Sequence, residues 1–263
     1  MKLGERVPSL GTATLAHKIL SVNENVSFRS KCEAAYETTE KLGDDPWIVA
    51  RGAVQQPSSG TDLVSTEATT INNKGVVHGY YCCGLFGDQG FKRTSTDTIT
   101  EVNTPDTNGI YGNNDFGDLV GTYWNGPPGH AENFKYVNGV TTTTSDYAPT
   151  DINNVRRIVG VGVANNLSGV IVDANGSQTV FNPTGSQWTV PFAINESGHV
   201  VSCYIDGSSR WHWFLRYPNA TIITLDIAGA GDTCAYGIND SNQIVGYYED
   251  AGGGYHSYVD LSR

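Results

Sequence analysis

Asn72, Asn114, Asn153, Asn195 and Asn239 stand 42, 39, 42 and 44 residues apart in a chain of 263 residues. Around each Asn the same short pattern returns. Gly237-Ile238-Asn239-Asp240-Ser241-Asn242-Gln243-Ile244-Val245-Gly246-Tyr247-Tyr248 is echoed by Thr70-Ile71-Asn72-Asn73-Lys74-Gly75-Val76-Val77-His78-Gly79-Tyr80-Tyr81. Gly112 to Tyr123, Asp151 to Gly162 and Ala193 to Tyr204 supply three further copies. A chain of this length could otherwise close as a sandwich, a barrel or two domains. A fixed period of about 42 residues instead implies units that bury one another's faces, and it suits a four-stranded propeller blade.

Each unit explains its own strands. Asn followed by Asp or Asn and a small residue tolerates left-handed backbone and bonds its own main chain, so it turns one strand into the next. The β-branched and aromatic run Ile244-Val245-Gly246-Tyr247-Tyr248 reads as a second strand and His256 to Val259 as a third. In the preceding unit Trp213 to Arg216 and Ile222 to Ile227 read as third and fourth strands. The expected fold is all-β, a five-bladed β-propeller over residues 47–263, each blade carrying strands A, B, C and an outer D. The final copy ends without a D strand, and Trp47-Ile48-Val49-Ala50-Arg51 would supply it, so that both chain ends close the ring and remove an open sheet edge. Asp62 to Ile71 would then be strand A of the first blade. Residues 1–46 form an N-terminal extension in which Lys31-Cys32-Glu33-Ala34-Ala35-Tyr36-Glu37 suits a short helix. A sixth propeller-like blade is the alternative.

The Ile-Asn-Asp-x-x-x-Ile-Val-Gly-Tyr-Tyr pattern, a His opening strand C and a Thr-Ile-x-x-Leu-Asp strand D resemble the HAF-type extracellular repeats over about residues 60–263. The resemblance implies secretion and a propeller-like repeat fold. It brings no catalytic motif to transfer.

Composition narrows the partners. Sixteen Lys and Arg stand against 27 Asp and Glu, a net charge of -11, so the basic footprint of a nucleic-acid binder is missing. No apolar run approaches the roughly 18 residues of a membrane-spanning helix, and no membrane partner is expected. Met1 to Arg6 lacks the apolar stretch of a signal peptide. Five cysteines (Cys32, Cys82, Cys83, Cys203, Cys234) contain no C-x-x-C pair, which disfavours zinc. Cys203 and Cys234 fall where neighbouring blades could join them, and Cys32 could tie the extension to Cys82 or Cys83; buried reduced thiols are the equal alternative. Of six Asn-x-Ser/Thr sites, Asn195 and Asn239 are required by the turn, leaving Asn25, Asn166, Asn175 and Asn219 as glycosylation candidates. A secreted protein or one of the secretory lumen is expected.

In a propeller the D–A loops and the starts of the A strands form a funnel to which every blade contributes. Counting back from the aligned Asn gives one rim position per blade: Ser65, Thr107, Asp146, Trp188 and Asp232. Thr66, Asn108, Tyr147, Thr189 and Thr233 follow, then Glu67, Gly109, Ala148, Val190 and Cys234. Glu67, Asp146 and Asp232 are therefore candidate catalytic carboxylates, since opposed acids can part their pKa values into acid and base roles. Solvated turn residues are the plainer reading. His78 joins the candidates because it replaces the Val of the four sister blades, and a buried imidazole needs a partner or a use; a satisfied core histidine is the plainer reading here too. Trp188, Tyr147, Asn108, Tyr111, Phe192 and Tyr236 are the candidate ligand contacts. Strand C opens with Gln89, Glu132, Ser168, His212 and His256, the two histidines suiting a structural bond across the B–C turn. Arg210-Trp211-His212-Trp213 adds indole faces that suit sugars or cations.

There is no G-x-S-x-G, no H-E-x-x-H and no nucleotide loop between strand and helix, so neither cofactor nor metal is expected. The rim positions differ from blade to blade, which favours one asymmetric site over one site per blade. The expected function is a single-site small-molecule propeller, a cofactor-free acid–base enzyme for cyclisation, isomerisation, or glycosidic or lyase cleavage. A lectin-like propeller binding a glycan is the alternative.

Overall fold

The computed structural model describes residues 63–83, 88–96, 98–102, 107–124, 131–163 and 167–260. The expected helix near Lys31, the strand at Trp47–Arg51, Cys32, Asn25 and Asn166 lie outside them, as do the side chains of Cys82 and Cys83. The described residues form 19 β-strands and no helix, arranged as five antiparallel sheets of a five-bladed β-propeller.

The first blade holds β1 (Leu63–Ile71), β2 (Val77–Cys83), β3 (Asp88–Arg93) and β4 (Ile99–Val102). The second holds β5 (Thr107–Asn113), β6 (Leu119–Trp124), β7 (Ala131–Val137) and β8 (Val140–Thr144). The third holds β9 (Tyr147–Ile152), β10 (Ile158–Gly162), β11 (Ser168–Val172) and β12 (Gln178–Phe181). The fourth holds β13 (Trp188–Ile194), β14 (Val200–Ile205), β15 (Trp211–Arg216) and β16 (Ile222–Thr224). The fifth has β17 (Thr233–Ile238), β18 (Ile244–Glu249) and β19 (Tyr255–Asp260). Strand β16 is shorter than the expected Ile222 to Ile227, because after Leu225 the chain turns at Ile227–Ala230 toward the fifth blade.

The repeated Asn shapes each A–B turn and then reaches beyond it. Its Oδ1 accepts amide hydrogens inside the turn, from Lys74 and Val76 at Asn72 (3.1 and 3.0 Å) and from Phe116 and Asp118 at Asn114 (both 3.0 Å). The third residue after the Asn has positive φ in every blade: Gly75, Gly117, Arg156, Gly198 and Asn242. The Nδ2 of the same Asn donates to the main-chain carbonyl of the next blade's Asn: Asn72 to Asn114 (2.9 Å), Asn114 to Asn153, Asn153 to Asn195 and Asn195 to Asn239 (each 3.1 Å). One side chain thus folds a hairpin and clamps two blades.

Apolar packing follows the same order. Val120, Val159 and Val201 are fully buried, each among residues of the blade that follows. Gly in the Val-Gly-Tyr strand is steric: a Cβ at Gly79, Gly121, Gly160 or Gly246 would collide with the carbonyl oxygen of Glu67, Gly109, Ala148 or Cys234 on strand A. Ser202 fills that position in the fourth blade and is buried. Cys203 of β14 and Cys234 of β17 form a disulfide between the fourth and fifth blades, with Cα atoms 5.3 Å apart.

Substituting a clamp residue should cost far more than substituting a similar exposed turn residue. Asn153→Ala leaves the Arg157 amide and the Asn195 carbonyl without their buried partner, and urea denaturation should show a loss of roughly 2–4 kcal/mol. Asn175→Ala, which removes only a local bond to the Ser177 amide, should change stability by less than about 1 kcal/mol. Equal effects would contradict the clamp.

Candidate functional site

Strand A is bulged in all five blades, three residues before the repeated Asn. The extra residue is Thr69, Tyr111, Thr150, Phe192 or Tyr236. A bulge re-aims a side chain out of the regular alternation, and the two-residue period used on the sequence does not foresee it. Three of the six candidate ligand contacts are bulge residues. Tyr111 is buried, with its hydroxyl 3.1 Å from Thr122 Oγ1. Phe192 and Tyr236 meet edge to face at 4.7 Å, and Tyr236 stacks on Tyr247 at 5.6 Å. Burial pushes the Tyr236 phenol well above its ordinary range, and burial followed by the charge of Asp232 raises Tyr247 to about 12.

The other candidates have local surroundings of their own. Tyr147 is buried in the core shared by the second and third blades, and that burial, with Asp146 beside it, raises its pKa to about 12. Asp146 is exposed and accepts from Ser145 Oγ at 3.2 Å. Glu67 accepts the Tyr80 hydroxyl within its own blade. Asn108 lies on β5, its side chain outside the described ones. Each described candidate carboxylate is therefore held by residues of its own or an adjoining blade.

The rim of the fourth and fifth blades is the most elaborate arrangement. Trp188, Ile205 and Trp211 stand in one row across β13, β14 and β15, which brings the two indoles to 5.9 Å with both rings partly exposed. Asp232 Oδ1 accepts the Trp211 amide at 3.0 Å, while Arg210 Nη2 donates to the carbonyls of Ala230 (2.9 Å) and Gly231 (2.6 Å). Beside them His212 bonds Asp226 through Nδ1 (2.6 Å) and Asp206 through Nε2 (3.1 Å), and Thr233 Oγ1 donates to Asp226 at 2.9 Å. Burial works against a charged His212, but the two carboxylates outweigh it and hold its pKa above the usual histidine value. His256 repeats half of this device with Asp250 at 2.6 Å. Both rings stack on a tyrosine, Tyr204 and Tyr248, so the histidines that open strand C brace the B–C turn. Tyr247 and Asp226 were absent from the sequence-based candidates: the first reads as a repeat Tyr, and the second is brought to His212 only by the β15–β16 pairing.

His78 lies away from this rim, between the first and second blades. Its Nδ1 is 2.8 Å from Asn113 Nδ2, and Asn113 also accepts Thr70 Oγ1 (2.9 Å) and donates to the Val76 carbonyl (3.0 Å). That network accounts for an imidazole where the sister blades keep Val.

No family model and no curated protein sequence matches the chain. Solved structures do resemble it. TolB from Acinetobacter baumannii has a TM-score of 0.49 at 12% identity, over 77% of this chain and 55% of that one. The β-propeller domain of the Trilobed protease from Pyrococcus furiosus has 0.47 at 9%, over 75% and 70%. An Aleuria aurantia lectin has 0.42 at 11%, over 75% and 74%. At these identities the likeness concerns the propeller fold alone.

His78 sets a pH dependence. Burial, followed by the charge of Lys92, lowers its pKa from 6.5 to about 4. The unfolded chain therefore binds a proton between pH 6.5 and 4 that the folded chain refuses, and stability falls as pH drops through that window. The contribution is on the order of 2–3 kcal/mol. His78→Val should remove this pH dependence, so that the wild-type-minus-variant difference in stability falls as pH drops from 7 to 4.5; parallel profiles would show that His78 has the same pKa in the folded and unfolded chain.

Proposed function

We infer that this propeller binds a small oxygenated ligand of the carbohydrate class at the rim shared by its fourth and fifth blades. The observation that supports the reading is the partly exposed Trp188–Trp211 pair, set beside the Asp232 carboxylate and the Arg210 guanidinium. Ligand sites combine apolar and aromatic surface with a few fixed polar groups. Indole faces suit the C–H face of a sugar ring, and a carboxylate suits its hydroxyls. The second and third blades have no Trp at the matching rim positions, Thr107 and Asp146, which favours one site per chain.

Glycan-array screening followed by titration of the intrinsic Trp fluorescence tests this. One saturable site per chain is expected, with Trp211→Ala weakening affinity at least about tenfold, roughly 1.4 kcal/mol. Several equivalent sites, or full affinity in Trp211→Ala, would contradict the reading.

A second reading is a cofactor-free acid–base enzyme carrying out cyclisation, isomerisation, or glycosidic or lyase cleavage. It is favoured by Asp232, whose charge acts on the Tyr247 phenol that is in turn hydrogen-bonded to Tyr236. A carboxylate next to coupled phenols can pass a proton. Under this reading Asp232→Asn abolishes turnover while ligand affinity survives, and unchanged turnover in both Asp232→Asn and Glu67→Gln removes it. We extend the proposal to a secreted or lumenal location, supported by the Cys203–Cys234 disulfide, a bond that persists in oxidising compartments. Asn175 and Asn219 are exposed and available there for glycosylation.

A further inference from the structure

The rim row that is apolar in the fourth blade turns acidic in the fifth. Trp188, Ile205 and Trp211 cross β13, β14 and β15, and the corresponding positions of β17, β18 and β19 fall at Asp232, Glu249 and Tyr255. At the strand-B position of this row the sister blades carry Cys82, Trp124, Val163 and Ile205. Only the fifth blade carries a charge there, so the repeat itself does not require Glu249.

Main-chain pairing sets the two acids together. The Gly231 amide donates to the Glu249 carbonyl and the Glu249 amide to the Asp232 carbonyl, both at 2.7 Å. Glu249 therefore lies opposite Gly231–Asp232, and its Oε2 stands 3.3 Å from the point that a Cβ on Gly231 would occupy. Both acids are partly exposed. Like charges facing each other across paired strands destabilise a sheet, yet neither acid has an ion-pair partner among the described residues. The cations of this rim are directed to other acceptors. Arg210 Nη2 donates to the carbonyls of Ala230 and Gly231, and His212 stands between Asp206 and Asp226. The Trp211 amide, donating to Asp232 Oδ1 at 3.0 Å, ties the acidic row to the indole row.

From the Asp232–Glu249 pair beside the Trp188–Trp211 indoles, we propose that the rim takes a sugar bearing a free ammonium group, the carboxylates holding its charge and the indoles its ring. This rests on the carbohydrate reading above and specifies the sugar. A cation between the acids relieves their repulsion, and indole faces attract ammonium groups. An acidic sugar would instead add a third negative charge to the pair. A bare calcium ion takes roughly six to eight oxygens, whereas the described residues bring no group of three metal-type side chains together.

Titration of the Trp fluorescence with a chitosan oligosaccharide, its fully N-acetylated counterpart of equal length and an oligogalacturonate tests the assignment. At about pH 6, where a sugar amine keeps its proton, the chitosan oligosaccharide should bind at least about tenfold more tightly than the acetylated one. The gap should narrow as salt is raised. Glu249→Gln keeps the shape of the side chain and removes its charge, and it should cut the preference to about threefold or less. Equal affinities, or a preference for the acetylated or acidic oligosaccharide, overturn the assignment while the carbohydrate reading stands. A preference undiminished in Glu249→Gln also overturns it, because the amine would then be answering the net charge of -11 rather than this pair. If none of the three binds and the glycan array finds other sugars, the assignment alone falls; if the array is blank as well, the carbohydrate reading falls with it.

Discussion

The fold depends on what one carboxamide does with its two ends. An Asn in a hairpin turn ordinarily satisfies its own main chain and nothing more. Here Oδ1 performs that task while Nδ2 donates to a carbonyl of the adjoining blade, four times in succession from Asn72 to Asn239. Asp, an acceptor alone, could make the turn but not the clamp. The spacing of the repeat is thus tied to the spacing of the blades, and the apolar faces of Val120, Val159 and Val201 are brought into contact in register.

That inner ring determines what the rim can become. The A strands are fixed at their lower ends and bulged at Thr69, Tyr111, Thr150, Phe192 and Tyr236, and above the bulges Tyr147, Thr189 and Thr233 are buried while Asp146, Trp188 and Asp232 just beyond them reach the surface and differ in chemistry. The fourth and fifth blades use that difference most. A disulfide, a doubly bonded His212 and the Asp232–Trp211 contact hold their rim as one surface. The rigidity lies where the indole pair lies, which is the physical basis for seeking ligand binding there.

Much of this was legible in the sequence. The Asn period gave the blade count, and the B-strand pattern located β2, β6, β10, β14 and β18. Strand position allowed Cys203 to pair with Cys234 but left reduced thiols as an equal alternative, and the structure has the disulfide. The bulges were not legible, because any two-residue alternation hides a single inserted residue, so Tyr111 and Phe192 were aimed differently than counting suggests. Nor was the role of Asn113, which satisfies His78 from the neighbouring blade. Glu67, Asp146 and Asp232 were placed from strand position alone, and the hydrogen-bond partner that each one has is not legible from spacing. Sequence spacing reports which strand end a side chain occupies, and its hydrogen bonds depend on neighbours tens of residues away.

Through its bond to the next blade, the Asn clamp couples the stability of neighbouring blades. Native-state hydrogen exchange, followed across a series of low urea concentrations in wild type and Asn153→Ala, tests it directly. The substitution should lower the opening free energy of amides in β13 and β14 of the fourth blade as much as in β9 and β10 of the third. Loss of protection confined to the Asn153 turn and its own blade would contradict it.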